Sequence, residues 1–225
     1  MVYESTITFT LDTICPWTYL GYLRLCKALE QYNSEPNNAV KFTLKFAPYQ
    51  LYPGASQKGE DKYKWHKITK YNDNEEKMNM YIQYMTALGK AEGIDFDFHG
   101  TIANTLHSHR VLQWIQEYKG QDAAKKTVDS LYAQYFTQQQ HPSSNQTLMK
   151  ACLDAGLSES EAKDLVEDES EGLMDVKMAI REQTGNGVDS VPYVVFEGRK
   201  RDFTLVGAKE VEEYMKTMAQ VGKEA

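Results

Sequence analysis

An α/β fold interrupted by an all-helical insertion is what this sequence predicts. Three observations carry it. The chain starts with a strand–helix–strand pattern, continues from about residue 65 to 182 in a helical block poor in β-branched runs, and closes with two short strands and a helix.

Residues 5–11 alternate, with Ile7, Phe9 and Leu11 on one side and Thr6, Thr8 and Thr10 on the other, the pattern of a half-buried strand. Leu20, Leu25, Ala28, Leu29 and Tyr32 then recur at helical spacing and predict a helix buried along one face. The run NSEPNN (33–38) breaks it, and VKFTLKF (40–46) reads as a second strand. A helix between two strands favours parallel pairing. In the middle block, helices are predicted at 74–93, 104–120 and 123–138, with two shorter ones in 145–168 separated by Gly156-Leu157-Ser158. VPYVVFEGRKRDFTLVG (191–207) reads as an antiparallel hairpin turning near Gly198. The closing segment 208–221 reads as a helix with Val211, Met215 and Met218 on one face. The expected organisation is one domain from residues 1–64 and 183–225, with a helical insertion domain at 65–182.

The 225 residues, 41% hydrophobic and 12% aromatic, suffice for a real core and argue against disorder. A net charge of -7 weighs against nucleic acid as a partner. The N-terminal stretch has no secretory-signal pattern, and no apolar run approaches the ~20 residues needed to cross a bilayer. The expected location is therefore the cytoplasm, with no membrane partner. Three cysteines, Cys15, Cys26 and Cys152, cannot form a disulfide framework there. His107, His109, His66, His99 and His141 have no metal-motif companions, so no metal is expected. The acidic run around 159–172 and the basic GRKR (198–201) read as solvated surface.

Chemistry points to Cys15. It stands where a strand gives way to a helix, just before Pro16, Trp17 and Thr18. Unpaired N–H groups and the positive end of the dipole favour a thiolate there, and Pro16 suits the first turn. Such sites bring a thiol from ~8.5 down to ~3.5–7.5. Cys26 lies eleven residues along the same helix, about 16 Å away at ~1.5 Å per residue, beyond the roughly 7 Å a disulfide allows. Cys152, beside Leu148, reads as a packed core thiol. Cys15 is thus a monothiol to be resolved by an external thiol, for which glutathione is the cytosolic candidate; the bland alternative is a buried, inert cysteine. The Thr18 hydroxyl, one turn on, is placed to support the Cys15 thiolate or simply to pack. Trp17 is a wall of the site or a core residue. If Val191-Pro192 is cis, the Val191 backbone offers an edge to an extended peptide such as glutathione. A helix starting at Gly207-Ala208 offers a carboxylate site.

Together D-x-x-C-P-W-x-Y-x-G (12–21), APYQLYP (47–53), NTLHSHR (104–110), GVDSVPYVVF (187–196) and VGAKE (206–210) resemble the DsbA-like branch of the thioredoxin superfamily. The likeness is greatest to the FrnE and 2-hydroxychromene-2-carboxylate isomerase group, related to kappa-class glutathione transferases. It implies a thioredoxin fold with a helical insertion, a cis Pro192, Cys15 as the reactive group, and Asn104, His109 and Arg110 approaching the cleft. Two departures stand out: Thr18 replaces the second FrnE cysteine, and Tyr52 stands where isomerase and transferase relatives often carry asparagine. Those relatives place a serine at the position of Cys15.

Two functions follow. One is a glutathione-linked monothiol oxidoreductase acting on a small-molecule or protein disulfide. The other is a glutathione-dependent transferase or isomerase acting on an aromatic or polyketide-like electrophile. A non-catalytic thioredoxin-fold binding module is a weaker third. Met- and Tyr-rich helices leave a homodimer open.

Overall fold

The computed structural model describes residues 2–36 and 38–225. Asn37, part of the expected break at 33–38, lies outside the described residues.

Strand β1 (Tyr3–Leu11) is followed by α1 (Pro16–Ser34) and β2 (Val40–Pro48). β1 pairs with β2 in parallel, Ile7 opposite Leu44 and Phe9 opposite Phe46, as the strand–helix–strand pattern requires. Near the C-terminus, β5 (Tyr193–Phe196) runs antiparallel to β1 and β6 (Phe203–Val206) antiparallel to β5, giving the order β2-β1-β5-β6. β1 and β5 each have a neighbour on both sides, and in β1 Ile7, Phe9 and Leu11 are completely buried. The C-terminal end of β1 delivers the chain to Cys15.

The helical block comprises α2 (Lys62–Tyr71), α3 (Glu75–Ala91), α4 (Leu106–Lys119), α5 (Gln121–Thr137), α6 (Asn145–Asp154), α7 (Glu159–Glu167) and α8 (Leu173–Gly185). Residues 64 and 65 lie within α2, and 182 and 183 within α8. Caps set several starts: Asp61, Asn74 and Ser144 accept from the N–H of Lys64, Lys77 and Thr147. Ser158 and Glu161 exchange bonds in a capping box. The chain also forms a two-stranded ribbon, β3 (Glu60–Asp61) with β4 (Thr101–Ile102), which periodicity did not foresee because two residues cannot display a period.

Two apolar clusters hold the molecule. The larger joins β1, α1, β5 and the last helix, α9 (Val211–Glu224), to Tyr132, Tyr135 and Phe136 of α5. The smaller is built from α4 to α7, where Cys152 packs with Leu148, Ile115 and Leu165. On α1, Leu20, Leu25, Ala28 and Tyr32 are buried as expected, while Leu29 is half-buried. On α9 the buried stripe is Tyr214, Thr217, Met218 and Val221, and Val211 and Met215 lie at its margin. Val211, Met215 and Met218 do share the core side, and Tyr214 and Thr217, which hydropathy does not mark, deepen it. Arg24 of α1 bonds Glu92 (2.7 Å) and Glu210 (2.8 Å), tying α1 to the end of α3 and the start of α9. Among the described residues no helix is long and apolar enough to cross a membrane.

Candidate active site

Cys15 is the N-cap of α1, with extended backbone and Pro16 in the first helical position. Its N–H donates to the Asp12 carbonyl (3.1 Å), closing a turn that carries the chain from β1 into the helix. The sulfur packs with Val188 and Val191, flanked by Trp17, Tyr49, Leu51 and Tyr193. The Val191–Pro192 bond is cis, and the Cys15 S–H donates to the Val191 carbonyl at 3.8 Å. Gly207, at φ +85°, donates its N–H to the Pro192 carbonyl (2.8 Å) and anchors this loop from the far side.

The electrostatics differ from the expected depressed thiol. Burial is the largest influence and pushes Cys15 from the usual 9.0 up to about 11. The Thr18 and Trp17 N–H groups pull it down, as a helix start should, while the Asp12 charge pushes it up. Position at a helix start is legible in sequence; a sulfur only 4% exposed is not, and burial wins. The resting group is a thiol. The Thr18 hydroxyl also helps to pull the Cys15 thiol down, and it is shared with the backbone carbonyls of Cys15 (2.7 Å) and Asp12 (2.8 Å). It braces the turn that presents the sulfur.

The D-x-x-C spacing puts Asp12 in the motif without marking it as a site residue, a part the structure gives it. Asp12 is fully buried, its Oδ2 accepts the Leu51 N–H (2.7 Å), and its Oδ1 lies 3.4 Å from His109 Nε2. His109 reaches it from α4, bringing the helical block to the underside of the cysteine turn. Asn104 acts one step further out. It donates to the Pro53 carbonyl (2.8 Å) and accepts from Gln50 (3.0 Å), fixing the segment that supplies Leu51. Arg110 corrects the expectation drawn for it. Its NH1 donates to the carbonyls of Leu165, Asp168 and Glu171 at 2.9–3.1 Å, so its charge caps the end of α7 and is not directed at Cys15.

The Gly207-Ala208 expectation also changes. The helix starts at Val211, where Glu213 accepts the Glu210 N–H (3.5 Å), so the chain's own carboxylates fill that terminus. Ala208 serves instead as packing, while Gly207 keeps its N–H bond to the cis-proline loop. A Cβ on Gly21 of α1 would lie 3.0 Å from Pro192 Cγ, 3.3 Å from the Tyr214 hydroxyl and 3.4 Å from Ala208 Cα. Gly21→Val is expected to cost about 2–3 kcal/mol by overpacking this junction. Thermal unfolding checks it, with Gly21→Ala as the milder member of the series.

Aromatic rings crowd the neighbourhood. Trp17 meets Tyr84 at 6.1 Å, and Tyr52 packs edge-on to Trp65 at 4.5 Å with Lys70 over its ring at 4.7 Å. Burial, and to a lesser degree the nearness of Cys15, pushes the Tyr81 hydroxyl up. A cleft of about 380 Å³ lies elsewhere, between α4 and α8 around Trp114 and Tyr118. Among the described residues no group of three metal-ligating side chains gathers.

All three thiols are free and buried, with Cys26 at about 11 and Cys152 at about 12, again raised by burial. Each holds its proton more tightly folded than unfolded. The stabilisation is complete below about 9 and is lost as pH rises through the folded values. Tm is therefore expected to fall between pH 9 and 11, measured by alkaline thermal scans. A flat Tm over that range would show the thiols to be hydrated.

No curated protein sequence matches the chain. Solved structures do. A probable DsbA oxidoreductase from Streptomyces coelicolor superposes with a TM-score of 0.82 at 21% identity, covering 98% of this chain and 91% of that one. 2-Hydroxychromene-2-carboxylate isomerase gives 0.69 at 13%, covering 96% and 95%. The cytosolic disulfide reductase DsbM from Pseudomonas aeruginosa, with GSH, gives 0.55 at 11%, covering 97% and 96%. At these identities the likeness is one of fold. The family model for the DSBA-like thioredoxin domain matches residues 6–219, nearly the whole length, and by that match the chain belongs to the DsbA-like thioredoxin family.

Proposed function

We propose that this protein is a FrnE-like thiol–disulfide oxidoreductase of monothiol type, with Cys15 as nucleophile and glutathione as co-substrate, acting in the cytoplasm. One observation carries the reading: among the described residues Cys15 is the only thiol at the cis-proline junction. Cys26 faces Tyr22 and Asp129 within the larger core, and Cys152 sits in the smaller one. The absence of a second thiol beside Cys15 among the described residues supports resolution by a thiol from outside. The DsbM structure with GSH shows that glutathione accompanies this fold elsewhere.

In the first step, Cys15 sulfur bonds one sulfur of a small-molecule or protein disulfide and the other sulfur leaves as a thiol with the Cys15 proton. Glutathione then attacks the mixed disulfide, its sulfur takes the substrate sulfur, and Cys15 is released as a thiol. The N–H groups of Trp17 and Thr18 would support the sulfur whenever it bears charge, Trp17 would wall the site, and the Val191–Pro192 edge would receive the extended substrate once the Cys15 S–H leaves the Val191 carbonyl.

A second reading is favoured by the rings of Trp17, Tyr49 and Tyr193 beside a thiol that rests protonated: glutathione-dependent transfer or isomerisation of an aromatic electrophile. The discriminating assay supplies reduced glutathione with either a small dialkyl disulfide or an electrophilic aromatic. Turnover of the disulfide supports the oxidoreductase. Turnover of the aromatic alone supports the second reading, and failure to bind glutathione leaves only a binding module.

A further inference from the structure

Among the described residues, seven buried side-chain polar atoms have no hydrogen-bond partner, and four of them belong to residues around the Cys15 turn: Thr13 Oγ1, His109 Nδ1 and the hydroxyls of Tyr132 and Tyr135. Thr13 follows Asp12 directly. His109 is held against Asp12 through its other ring nitrogen. Burial pushes the hydroxyls of Tyr132 and Tyr135, three residues apart on α5, well up, with smaller influences from Asp12 and Cys15, and Thr18 acts on that of Tyr132. Buried polar groups rarely go unpaired, and four of them on residues of the turn or of the helices packed on it fit ordered water.

At the centre is Asp12. A carboxylate offers about four acceptor positions. Only the Leu51 N–H and the long His109 contact meet its oxygens. Cys15, meanwhile, is shut off from bulk water and donates its S–H to a carbonyl. A thiol so enclosed needs an internal acceptor before it can attack.

We propose that the Asp12–His109 pair accepts the Cys15 proton, relayed by water held among Thr13, Tyr132 and Tyr135. The assignment rests on Cys15 acting as the nucleophile of the oxidoreductase. As Cys15 sulfur forms its bond to the substrate disulfide, its proton passes to the pair and the departing sulfur leaves with the electron pair of the broken S–S bond. The pair then protonates that thiolate. When the glutathione thiol attacks the mixed disulfide, the pair takes its proton and returns it to the Cys15 sulfur as that sulfur leaves.

The groups facing the pair are Cys15 from the start of α1, Tyr132 and Tyr135 from α5, and, beyond Tyr135, Tyr52 and Tyr81. The nearby cation is Lys62, whose Nζ lies 4.3 Å from the Tyr135 ring. His107 and Arg110, also on α4, engage Glu169 and the end of α7 instead.

The test is the pH dependence, from 6 to 10, of single-turnover modification of Cys15 by oxidised glutathione and, in parallel, by N-ethylmaleimide. Asp12→Asn is expected to slow both reactions on the order of 10²-fold at pH 7 and to make the rate climb about tenfold per pH unit. His109→Gln is expected to move the profile the same way by a smaller factor. The sign decides. If Asp12 acts only as a nearby negative charge, Asp12→Asn leaves the rate unchanged or raises it, and the proposal is overturned. Should either variant lose its fold in thermal scans, Tyr135→Phe removes a single hydroxyl and is expected to slow Cys15 severalfold; an unaltered rate there overturns the relay. Reaction with maleimide but not with oxidised glutathione, still dependent on Asp12, would remove the oxidoreductase reading and keep the proton acceptor. A wild-type Cys15 inert to both removes both.

Discussion

Cys15→Ser is expected to abolish glutathione-dependent disulfide turnover, by more than about 10³-fold, while leaving the fold intact. A hydroxyl cannot form the mixed disulfide, so no slower version of the same route remains. Stability should change by less than about 1 kcal/mol, because serine is nearly isosteric with cysteine and its hydroxyl can donate to the Val191 carbonyl that now accepts the S–H. The comparison is made by coupling disulfide reduction to glutathione oxidation, with thermal unfolding as the control. The glutathione transferase and isomerase reading expects the opposite: there the thiol that reacts is glutathione's own, and a serine at position 15 would still support it. Retained activity in Cys15→Ser would move the protein into that class.

The largest stability effect is expected at Arg110. It is among the largest fully buried side chains, and one of its nitrogens holds three carbonyls that terminate α7 and lead into α8. Hydrogen bonds to a charged group contribute more than neutral ones, and removing the donor leaves buried acceptors unpaired. Arg110→Met keeps most of the volume and removes the charge. It should cost about 3 kcal/mol, lowering Tm by roughly 6–12 °C in a chain of this size. The rate of Cys15 modification in the folded fraction should stay unchanged, since the guanidinium is engaged at the far end of α4's neighbours. Loss of that rate without loss of stability would return Arg110 to the active site, where the family resemblance first put it.

Much of the fold was legible because its signals are local. The alternation of Ile7, Phe9 and Leu11 specifies a strand with a core side, and the hairpin around Gly198 and the helices at 74–93 and 104–120 have periods that survive in the structure. β3 and β4 have no period to read. On α9 the expected face holds, but Tyr214 and Thr217 bury themselves more deeply than Val211 and Met215, which hydropathy does not show.

The site was legible in position but not in charge. Cys15-Pro16 marks a helix start, which favours a thiolate, yet the valines and aromatics that close over the sulfur come from residues 49–51 and 188–193. Burial is a tertiary fact and reversed the direction. The same holds for Asp12 and His109, 97 residues apart in sequence and 3.4 Å apart in space. The nearest sequence signal was the D-x-x-C spacing, which places an acid at the end of β1 without naming its partner.

The most direct test of the account is exposure of the protein to oxidised glutathione, followed by intact mass and peptide mapping. A single glutathione adduct on Cys15, released by reduced glutathione, with Cys26 and Cys152 unmodified, is the expected result. A folded protein whose Cys15 stays free while bound glutathione reacts with an electrophilic aromatic would contradict it.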